Sequence, residues 1–320
     1  MDMGSDRFTR SRLLKGGLAA AGTSALTGPE LAQAARPRAR TREYWIAAVP
    51  VTWNIVPNGR DAIDGRRFSP AETVIQTVVY RRFGRGWRKP HRVSNNAASN
   101  GFIGPLIRAR VGDRILVHFK NMDTLRKRPH SMHFHGVHYR PESDGAYVPG
   151  FSTRGANVKP GESYTYTLEA RPGSAGAWPY HDHSPSMAES IGGGLYGALS
   201  ILGPTEPAPD REHVVFFAAH RNFMTINGRA FVGNTPVYRG RVGDLVQWDV
   251  LSLGDDFHTF HVHGHRWRAP DGTPTDTKTL GPAESFRVRW REDAPGSWLY
   301  HCHVESHMAA GMIGLYRVSR

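Results

Sequence analysis

Cysteine is nearly absent from this sequence. The 320 residues include only Cys302, so no disulfide can form within the chain, and its stability must come from packed apolar cores. A lone cysteine is usually a small buried hydrophobe. Because His301 and His303 flank Cys302, a chemical role is favoured over that ordinary one.

Sustained helical periodicity and long apolar runs are also missing. Beyond the N-terminal region, no segment is long and apolar enough to span a bilayer, so we expect no membrane span. Glycine (35) and proline (22) are abundant instead. They punctuate short runs rich in valine, threonine and aromatic residues, such as 73–80, 114–119, 163–168 and 245–250. This pattern predicts an all-β protein.

Acidic residues are in the minority. The chain has 28 Asp and Glu against 41 Lys and Arg, a formal net charge of +13. Such a charge permits attraction to anions. The basic residues are scattered, however, and no nucleic-acid-binding motif accompanies them, so we expect no nucleic-acid partner.

The N-terminal 34 residues have the features of an export signal. A basic stretch precedes the alanine-rich apolar residues 16–26, and Ala32-Gln33-Ala34 provides a cleavage site. The basic stretch is similar to a twin-arginine signal, although Ser11 stands where the second arginine belongs. We therefore predict that residues 1–34 direct export and that the mature protein is soluble and extracytoplasmic.

The second half of the chain repeats the first. Trp-Pro-Tyr-His-Asp-His at 178–183 recurs as Trp-Leu-Tyr-His-Cys-His at 298–303, and His-Phe-His-Gly at 133–136 recurs as His-Val-His-Gly at 261–264. The features follow the same order in both halves, which indicates duplication of a whole domain. Several short strands in each half favour a Greek-key β-sandwich. We predict domains at 41–203 and 212–320, joined by a proline-rich linker at 204–211.

Histidine is the residue that carries the chemistry. Eight of the 17 histidines form four His-x-His pairs. On a strand, residues i and i+2 lie on the same face, roughly 6.6–6.8 Å apart, so each pair can present two imidazoles to one metal cluster. Imidazole suits copper, zinc, iron and nickel. Four such pairs in duplicated contexts indicate a metal site.

One pair contains the cysteine. In His301-Cys302-His303 the thiolate lies on the face opposite the two imidazoles. A cysteine, two histidines and a more distant methionine form the ligand set of a blue copper centre, and His258, His307 and Met312 are available for it. The strand then provides a short bonded path for electrons between that copper and the cluster on the other face.

In order and spacing these motifs resemble the copper-binding signatures of multicopper oxidases. The matching segments are HFHG at 133–136, HDH at 181–183, HTFHVHGH at 258–265 and HCHVESHMAAGM at 301–312. With two domains and the blue centre confined to the second, the chain resembles the bacterial two-domain laccases. The resemblance implies tandem cupredoxin-like domains. It also implies that one-electron oxidation of phenolic or aromatic donors is coupled to four-electron reduction of dioxygen to water.

The resemblance also implies a ligand set for four coppers. The type 1 copper would be bound by His258, Cys302 and His307, with Met312 axial. The type 2 copper would be bound by His133 and His261. The type 3 pair would be bound by the remaining six histidines of the four His-x-His pairs: His135, His181, His183, His263, His301 and His303.

Further residues follow from the repeat and from the resemblance. Asp182 takes the place of Cys302 in the first half, so no blue centre is predicted there, and His130, the counterpart of His258, is interpreted as a structural remnant. By resemblance, Asp144 and Asp276 are candidate proton donors near the cluster, and Tyr139 is a candidate redox-active or hydrogen-bonding side chain.

The resemblance implies a homotrimer in which domain one of each chain meets domain two of the next, with the cluster between chains. Other functions remain open. The chain could oxidise Cu(I) or Mn(II), act as a copper nitrite reductase, or bind copper without catalysis. A nitrite reductase would need a blue centre in domain one, and a storage protein would not need the strand that joins the two sites.

Overall fold

A computed structural model describes residues 39–91, 104–269 and 271–320. The predicted export signal at 1–34 lies outside these residues. Within them, no helix has the length and apolar character needed to cross a bilayer. Strands dominate, and the expectation of an all-β protein with two tandem cupredoxin-like sandwiches is confirmed.

The first sandwich contains strands that alternate between apolar and polar residues, as in β4, where every second side chain is buried. Its strands are β1 (Thr41–Asn54), β2 (Val74–Phe83), β3 (Ile107–Arg110), β4 (Arg114–Asn121), β5 (His133–Phe134), β6 (His138–Tyr139), β7 (Ser163–Glu169), β8 (Gly176–His181) and β9 (Tyr196–Leu202). One sheet has the order β2-β1-β4-β7-β6 and the other the order β3-β9-β8-β5. Short helices α1 (Pro70–Thr73) and α2 (Met187–Gly193) interrupt the strands.

The second sandwich repeats this plan. Its strands are β10 (Arg211–His220), β11 (Phe223–Ile226), β12 (Val237–Arg241), β13 (Leu245–Ser252), β14 (His258–Val262), β15 (Trp267–Arg268), β16 (Pro274–Thr275), β17 (Thr277–Leu280), β18 (Ser285–Arg291), β19 (Gly296–Cys302) and β20 (Ile313–Ser319), with helix α3 at Glu305–Ala309. Its sheets have the orders β11-β10-β13-β18 and β12-β20-β19-β14-β17, and β15 pairs with β16. The parallel pair β10–β13 matches β1–β4, and the antiparallel pair β14–β19 matches β5–β8.

Strand register brings the histidine motifs together. His133 on β5 pairs with His181 on β8, and His261 on β14 pairs with His301 on β19. Phe260 is opposite Cys302 in the same β14–β19 ladder. Histidines that are far apart in the chain therefore become neighbours because two short strands lie side by side.

A third apolar core lies between the two sandwiches. Tyr196 of β9 contacts Phe216 of β10, with ring centroids 4.5 Å apart, and both side chains are fully buried. Nearby, Arg287 of β18 donates to the Ile201 carbonyl and to Ser200 Oγ of the first sandwich while it pairs with Asp249 of its own sheet. The two halves thus share one continuous interior.

The segment between β9 and β10 is held in place by arginines. Arg110 donates to the carbonyls of Gly203 and Glu206, at 2.5 and 2.7 Å. Arg289 pairs with the Glu206 carboxylate at 2.6 Å and donates to the Pro207 carbonyl. These bonds anchor the connection to both sandwiches.

Candidate metal centres

Cys302, His258 and His307 form a compact triangle of donor atoms. Cys302 Sγ is 3.8 Å from Nδ1 of each histidine, and the two Nδ1 atoms are 3.2 Å apart. A point equidistant from all three lies about 2.1 Å from each, close to metal–ligand bond lengths. The sulfur and two imidazoles are the donors that copper takes in blue centres, so the residues present fit that ion.

Main-chain bonds assemble this triangle. Helix α3 returns the chain after β19, and the Met312 N–H donates to the His307 carbonyl while the Cys302 N–H donates to the Met312 carbonyl. Cys302 and Met312 are fully buried, and His307 is partly exposed. Burial raises the pKa of the Cys302 thiol, and burial together with the neighbouring His307 lowers the pKa of His258 to about 4. The His258 ring is therefore unprotonated at neutral pH and available as a metal ligand.

On the other face of β19 lies a second set of imidazoles. His263 Nε2 is 3.1 Å from His301 Nε2, and the His261 ring contacts both the His301 and His303 rings at centroid distances of 5.5 and 5.7 Å. We call His261, His263, His301 and His303 the domain-two set.

The first sandwich carries a matching domain-one set: His133, His135, His181 and His183. His135 Nε2 is 3.1 Å from His181 Nε2, and the His133 ring lies 5.4 Å from the rings of His181 and His183. The two sets have nearly the same geometry because the same strand pairing builds each of them.

Backbone carbonyls orient several of these rings. His133 Nδ1 donates to the Asp144 carbonyl and His261 Nδ1 to the Asp276 carbonyl, both at 2.8 Å. His181 Nδ1 likewise donates to the Asp182 carbonyl at 3.0 Å, and His301 Nδ1 to the Cys302 carbonyl at 2.9 Å. A ring that donates from Nδ1 keeps the Nε2 lone pair for a metal.

Four of these imidazoles are held in the neutral form. Burial, reinforced by the neighbouring histidines, lowers the pKa of His135, His181 and His301 to about 4. The same causes lower the pKa of His263. A metal ion therefore meets unprotonated nitrogens at neutral pH, without first displacing a proton.

The two sets do not meet within one chain. Among the described residues, every ring contact and hydrogen bond of these eight side chains stays within its own set or goes to its own sandwich. Each set also has solvent-accessible members, among them His135 and His303.

Three further residues predicted from the sequence lie beside these sets. Asp144 Oδ1 is 3.4 Å from His133 Nδ1, and Asp276 Oδ2 is 3.9 Å from His261 Nδ1, so each carboxylate is farther from the ring than its own carbonyl oxygen. The Tyr139 ring lies 6.2 Å from the His133 ring. Burial, followed by the adjacent Asp144, raises the pKa of Tyr139 to about 12, so its hydroxyl keeps its proton.

Sequence reasoning missed a buried pair behind the domain-two set. His265 Nδ1 donates to the His263 carbonyl at 2.7 Å, and His265 Nε2 contacts Glu292 Oε1 at 2.9 Å. The second oxygen of Glu292 accepts from Tyr316 and Trp290. No motif contains Glu292. Glu292 directly follows β18, and nothing in its sequence context distinguishes it from a surface residue, although it is buried in the fold.

In the first sandwich, the position equivalent to Cys302 is Asp182, which belongs to a buried polar network. Asp182 Oδ2 is 3.4 Å from His130 Nδ1, and Asp123 Oδ2 is 3.0 Å from His130 Nε2. Burial raises the pKa of both carboxyls. Their bonds to His130 and to neighbouring N–H groups lower it by more, so the pKa of each lies below its ordinary value. In place of a thiolate, this position therefore holds a carboxylate.

The Glu292 contacts generate a prediction about stability. Burial raises the pKa of Glu292, but bonds from His265 and Tyr316 lower it to about 2, so the carboxylate stabilises the fold above about pH 4.5 and loses that effect as the pH falls toward 2. Glu292→Gln should therefore lower the free energy of unfolding by about 3–5 kcal/mol at pH 6. The deficit should shrink in acid.

Urea unfolding of copper-free protein at pH 6 and pH 4 measures this effect, with the exposed Asp64→Asn as the control. A deficit that is equal at both pH values would contradict the ion-pair explanation.

Comparison with known proteins identifies the family of the chain. Two family models, both described as multicopper oxidase, match residues 88–206 and 204–320. Human "Ferroxidase HEPHL1" is 31% identical over 87% of the chain, and rat "Ceruloplasmin" is 28% identical over 87% of it. The chain spans only 29% and 31% of these two relatives.

A solved structure gives the same result. One described as "Crystal structure of multicopper oxidase" is 27% identical, covers 87% of this chain and 89% of its own, and has a TM-score of 0.66. The chain belongs to the multicopper oxidase family, as a member with two cupredoxin-like domains.

Proposed function

We propose that this protein takes electrons singly from a phenolic or aromatic donor and delivers them to dioxygen, which is reduced to water. One observation carries the proposal. In the three residues 301–303, Cys302 belongs to the sulfur-containing triangle while both flanking histidines belong to the domain-two set. A storage protein has no need to join two metal centres through one strand.

Different groups of residues would bind the different copper ions. His258, Cys302, His307 and Met312 would hold a type 1 copper, and His133 and His261 would hold a type 2 copper. The other six histidines of the two sets would hold a type 3 pair. Copper at these places would supply one-electron transfer at the first centre and oxygen reduction at the cluster.

Acidic side chains of the protein would supply the protons that oxygen reduction needs. Oxygen reduction consumes protons, and the Asp144 and Asp276 carboxylates lie next to His133 and His261 while their side chains remain 39% and 61% exposed. We assign them to carry protons from solvent toward the cluster. Tyr139, whose pKa is raised by burial and by the adjacent Asp144, would keep its hydroxyl proton available to this carboxylate.

The donor would be oxidised at the edge of His307. Cys302, His258 and Met312 are buried, which keeps water and small oxidants away from the sulfur, whereas His307 is partly exposed. An aromatic donor that contacts this imidazole is separated from the Cys302 sulfur only by the His307 ring, whose Nδ1 lies 3.8 Å from Sγ.

A second candidate donor is a metal cation. One of the relatives is named "Ferroxidase HEPHL1" and another "Ceruloplasmin". In this chain the exposed residues Asp255, Asp256 and Phe257 directly precede His258. The charge of Asp256 acts on the His258 ring, where it opposes the effect of burial on the pKa. Carboxylates at this place attract cations such as Fe(II), Cu(I) or Mn(II).

We propose that the complete cluster forms between copies of the chain, in a homotrimer. The domain-one and domain-two sets do not touch within one chain, and the shared core and the anchored segment at 204–211 oppose a movement that would bring them together. A cyclic arrangement that pairs domain one of each chain with domain two of the next leaves no set unmatched.

We also propose that residues 1–34 direct export, so that the enzyme acts outside the cytoplasm. The basic stretch, apolar stretch and Ala-Gln-Ala site of this segment support that assignment.

Cys302→Ser tests the central proposal. The copper-loaded wild type should show a thiolate-to-copper absorption near roughly 600 nm, and the variant should lose that band together with one copper per chain. Oxygen uptake with a phenol should fall by more than about a hundredfold, since electrons lose their path to the cluster.

Met312→Leu is the matched control. It should keep the band and shift its potential upward, because a weak ligand is removed while the thiolate remains. A wild type that binds copper without the band or without oxygen uptake would contradict the oxidase proposal and favour copper storage.

Neutralising the acidic pair distinguishes the donors. Asp255→Asn combined with Asp256→Asn should reduce kcat/KM for Fe(II) by about tenfold at low salt and leave a neutral phenol nearly unchanged, because only the cation is steered by charge. Oxygen-electrode assays with both donors measure this, with Asp64→Asn as the control. Equal losses for both donors would contradict a role in cation recognition.

Subunit complementation tests the interchain cluster. A variant with His135→Ala and His181→Ala lacks one set, and a variant with His263→Ala and His301→Ala lacks the other, so each alone should be inactive. Co-assembled in equal amounts, they should regain about a quarter of wild-type activity, because a quarter of the interfaces combine two intact sets. No recovery, or a fully active wild-type monomer on sizing chromatography, would contradict the trimer.

A further inference from the structure

A cavity of about 560 Å³ lies where the two sandwiches and the segment between them meet. Its lining comes from β3 and β9 of the first sandwich, from β10 and β12 of the second, and from residues 208–210. None of the candidate copper ligands is among the lining residues. Small-molecule sites in proteins have volumes of roughly 300–1,000 Å³, so the cavity is large enough for an organic ligand.

Much of the cavity wall is apolar. The apolar lining residues are Ala109, Leu202, Ala208, Pro209, Val237 and Tyr238. The Tyr238 hydroxyl is already bonded to the Val214 carbonyl, so this side chain offers mainly its ring. His213 lies beside that ring, with centroids 4.7 Å apart, and burial followed by the charge of Arg211 lowers the pKa of His213 to about 3. The imidazole therefore adds no charge at neutral pH.

Three arginines give the cavity its positive charge: Arg108 from the first sandwich, and Arg211 and Arg239 from the second. Arg108 pairs with Glu212 at 2.6 Å and Arg211 with Asp244 at 2.9 Å, and each pair uses only the guanidinium Nε. Among the contacts of the described residues, the terminal nitrogens of these two side chains have no acceptor. Arg239 is exposed, and no described residue pairs with its side chain.

Two carboxylates also belong to the lining, and both are engaged elsewhere. Glu212 accepts from Arg108 and from Ser200 Oγ, and its side chain is only 12% exposed. Asp210 Oδ2 accepts from the Leu245 N–H at 2.8 Å. Three guanidinium groups against two carboxylates leave the cavity with a net positive charge and with N–H groups that can still donate.

We propose that this cavity binds an aromatic carboxylate. The carboxylate would accept charge-assisted hydrogen bonds from the terminal nitrogens of the arginines, while the ring would lie against the apolar wall. A small inorganic anion has no apolar body and would leave that wall uncovered. The site is separate from the proposed copper centres, and the inference does not depend on the oxidase chemistry.

Such a ligand would contact both halves of the chain. Arg108 belongs to the first sandwich, whereas Arg211 and Arg239 belong to the second, so one anion held by all three joins the two sandwiches. A ligand that binds only the folded arrangement stabilises it by mass action. The aromatic carboxylate therefore acts as a stabiliser of the domain arrangement.

Isothermal titration calorimetry on the copper-free, full-length protein tests the proposal with three probes. Biphenylcarboxylate should bind saturably, with one molecule per chain. Biphenylcarboxamide, which lacks the charge, and acetate, which lacks the apolar body, should each bind about tenfold more weakly or worse. Biphenylcarboxylate should also raise the midpoint of urea unfolding in proportion to its binding.

Two variants locate the site. Arg239→Gln should weaken biphenylcarboxylate binding about tenfold without altering the unfolding of the ligand-free protein, because this side chain has no described partner in the fold. Ala208→Trp places a large ring on an exposed lining position and should also weaken binding about tenfold or more. The exposed Arg268→Gln, which removes the same charge outside the cavity lining, is the matched control and should bind as the wild type does.

Absence of saturable binding, or equal binding of biphenylcarboxylate and either of the other probes, would overturn the proposal. So would unchanged binding in both Arg239→Gln and Ala208→Trp, or an equal loss in Arg268→Gln. The probe is not a phenol and no copper is present, so failure of the oxidase assays leaves these measurements unaffected.

Discussion

The alternation of side chains along β19 is the constraint on which the rest of the site depends. Because successive residues point to opposite faces of a strand, one tripeptide can serve two centres that remain separated by the backbone. His301 and Cys302 could not be placed in their respective sets if this segment were helical. The antiparallel neighbour β14 then supplies the partners on both faces, with His258 on one and His261 on the other. The repeated sandwich is the scaffold that holds this strand pair in register.

Much of this could be predicted from the sequence because the relevant signals are local or repeated. The period-two spacing of the histidines, the position of Cys302 between two of them and the duplication of the whole pattern all depend on residue type and order alone. Family membership and the all-β tandem fold follow from these features, and both are confirmed.

The remainder depends on contacts that residue type does not reveal. Asp144 and Asp276 were predicted because of their carboxylates. In the structure it is their main-chain carbonyls that orient the His133 and His261 rings, and a carbonyl is present whatever the residue type. Glu292 is far from His265 in sequence and meets it only because β18 packs over that loop. From the sequence, His130 was interpreted as a structural remnant. The sequence does not reveal that the Asp123 carboxylate lies 3.0 Å from Nε2 of the His130 ring.

The apolar core shared by the two sandwiches has a consequence for how the protein responds to dilution. A chain whose domains cannot swing together cannot bring its own two histidine sets together. With the interchain cluster proposed above, copper and subunits would therefore bind as linked partners. The fraction of protein with a complete cluster would then depend on protein concentration as well as on free copper. Dilution would favour separate subunits, and copper bound across each interface would oppose their release.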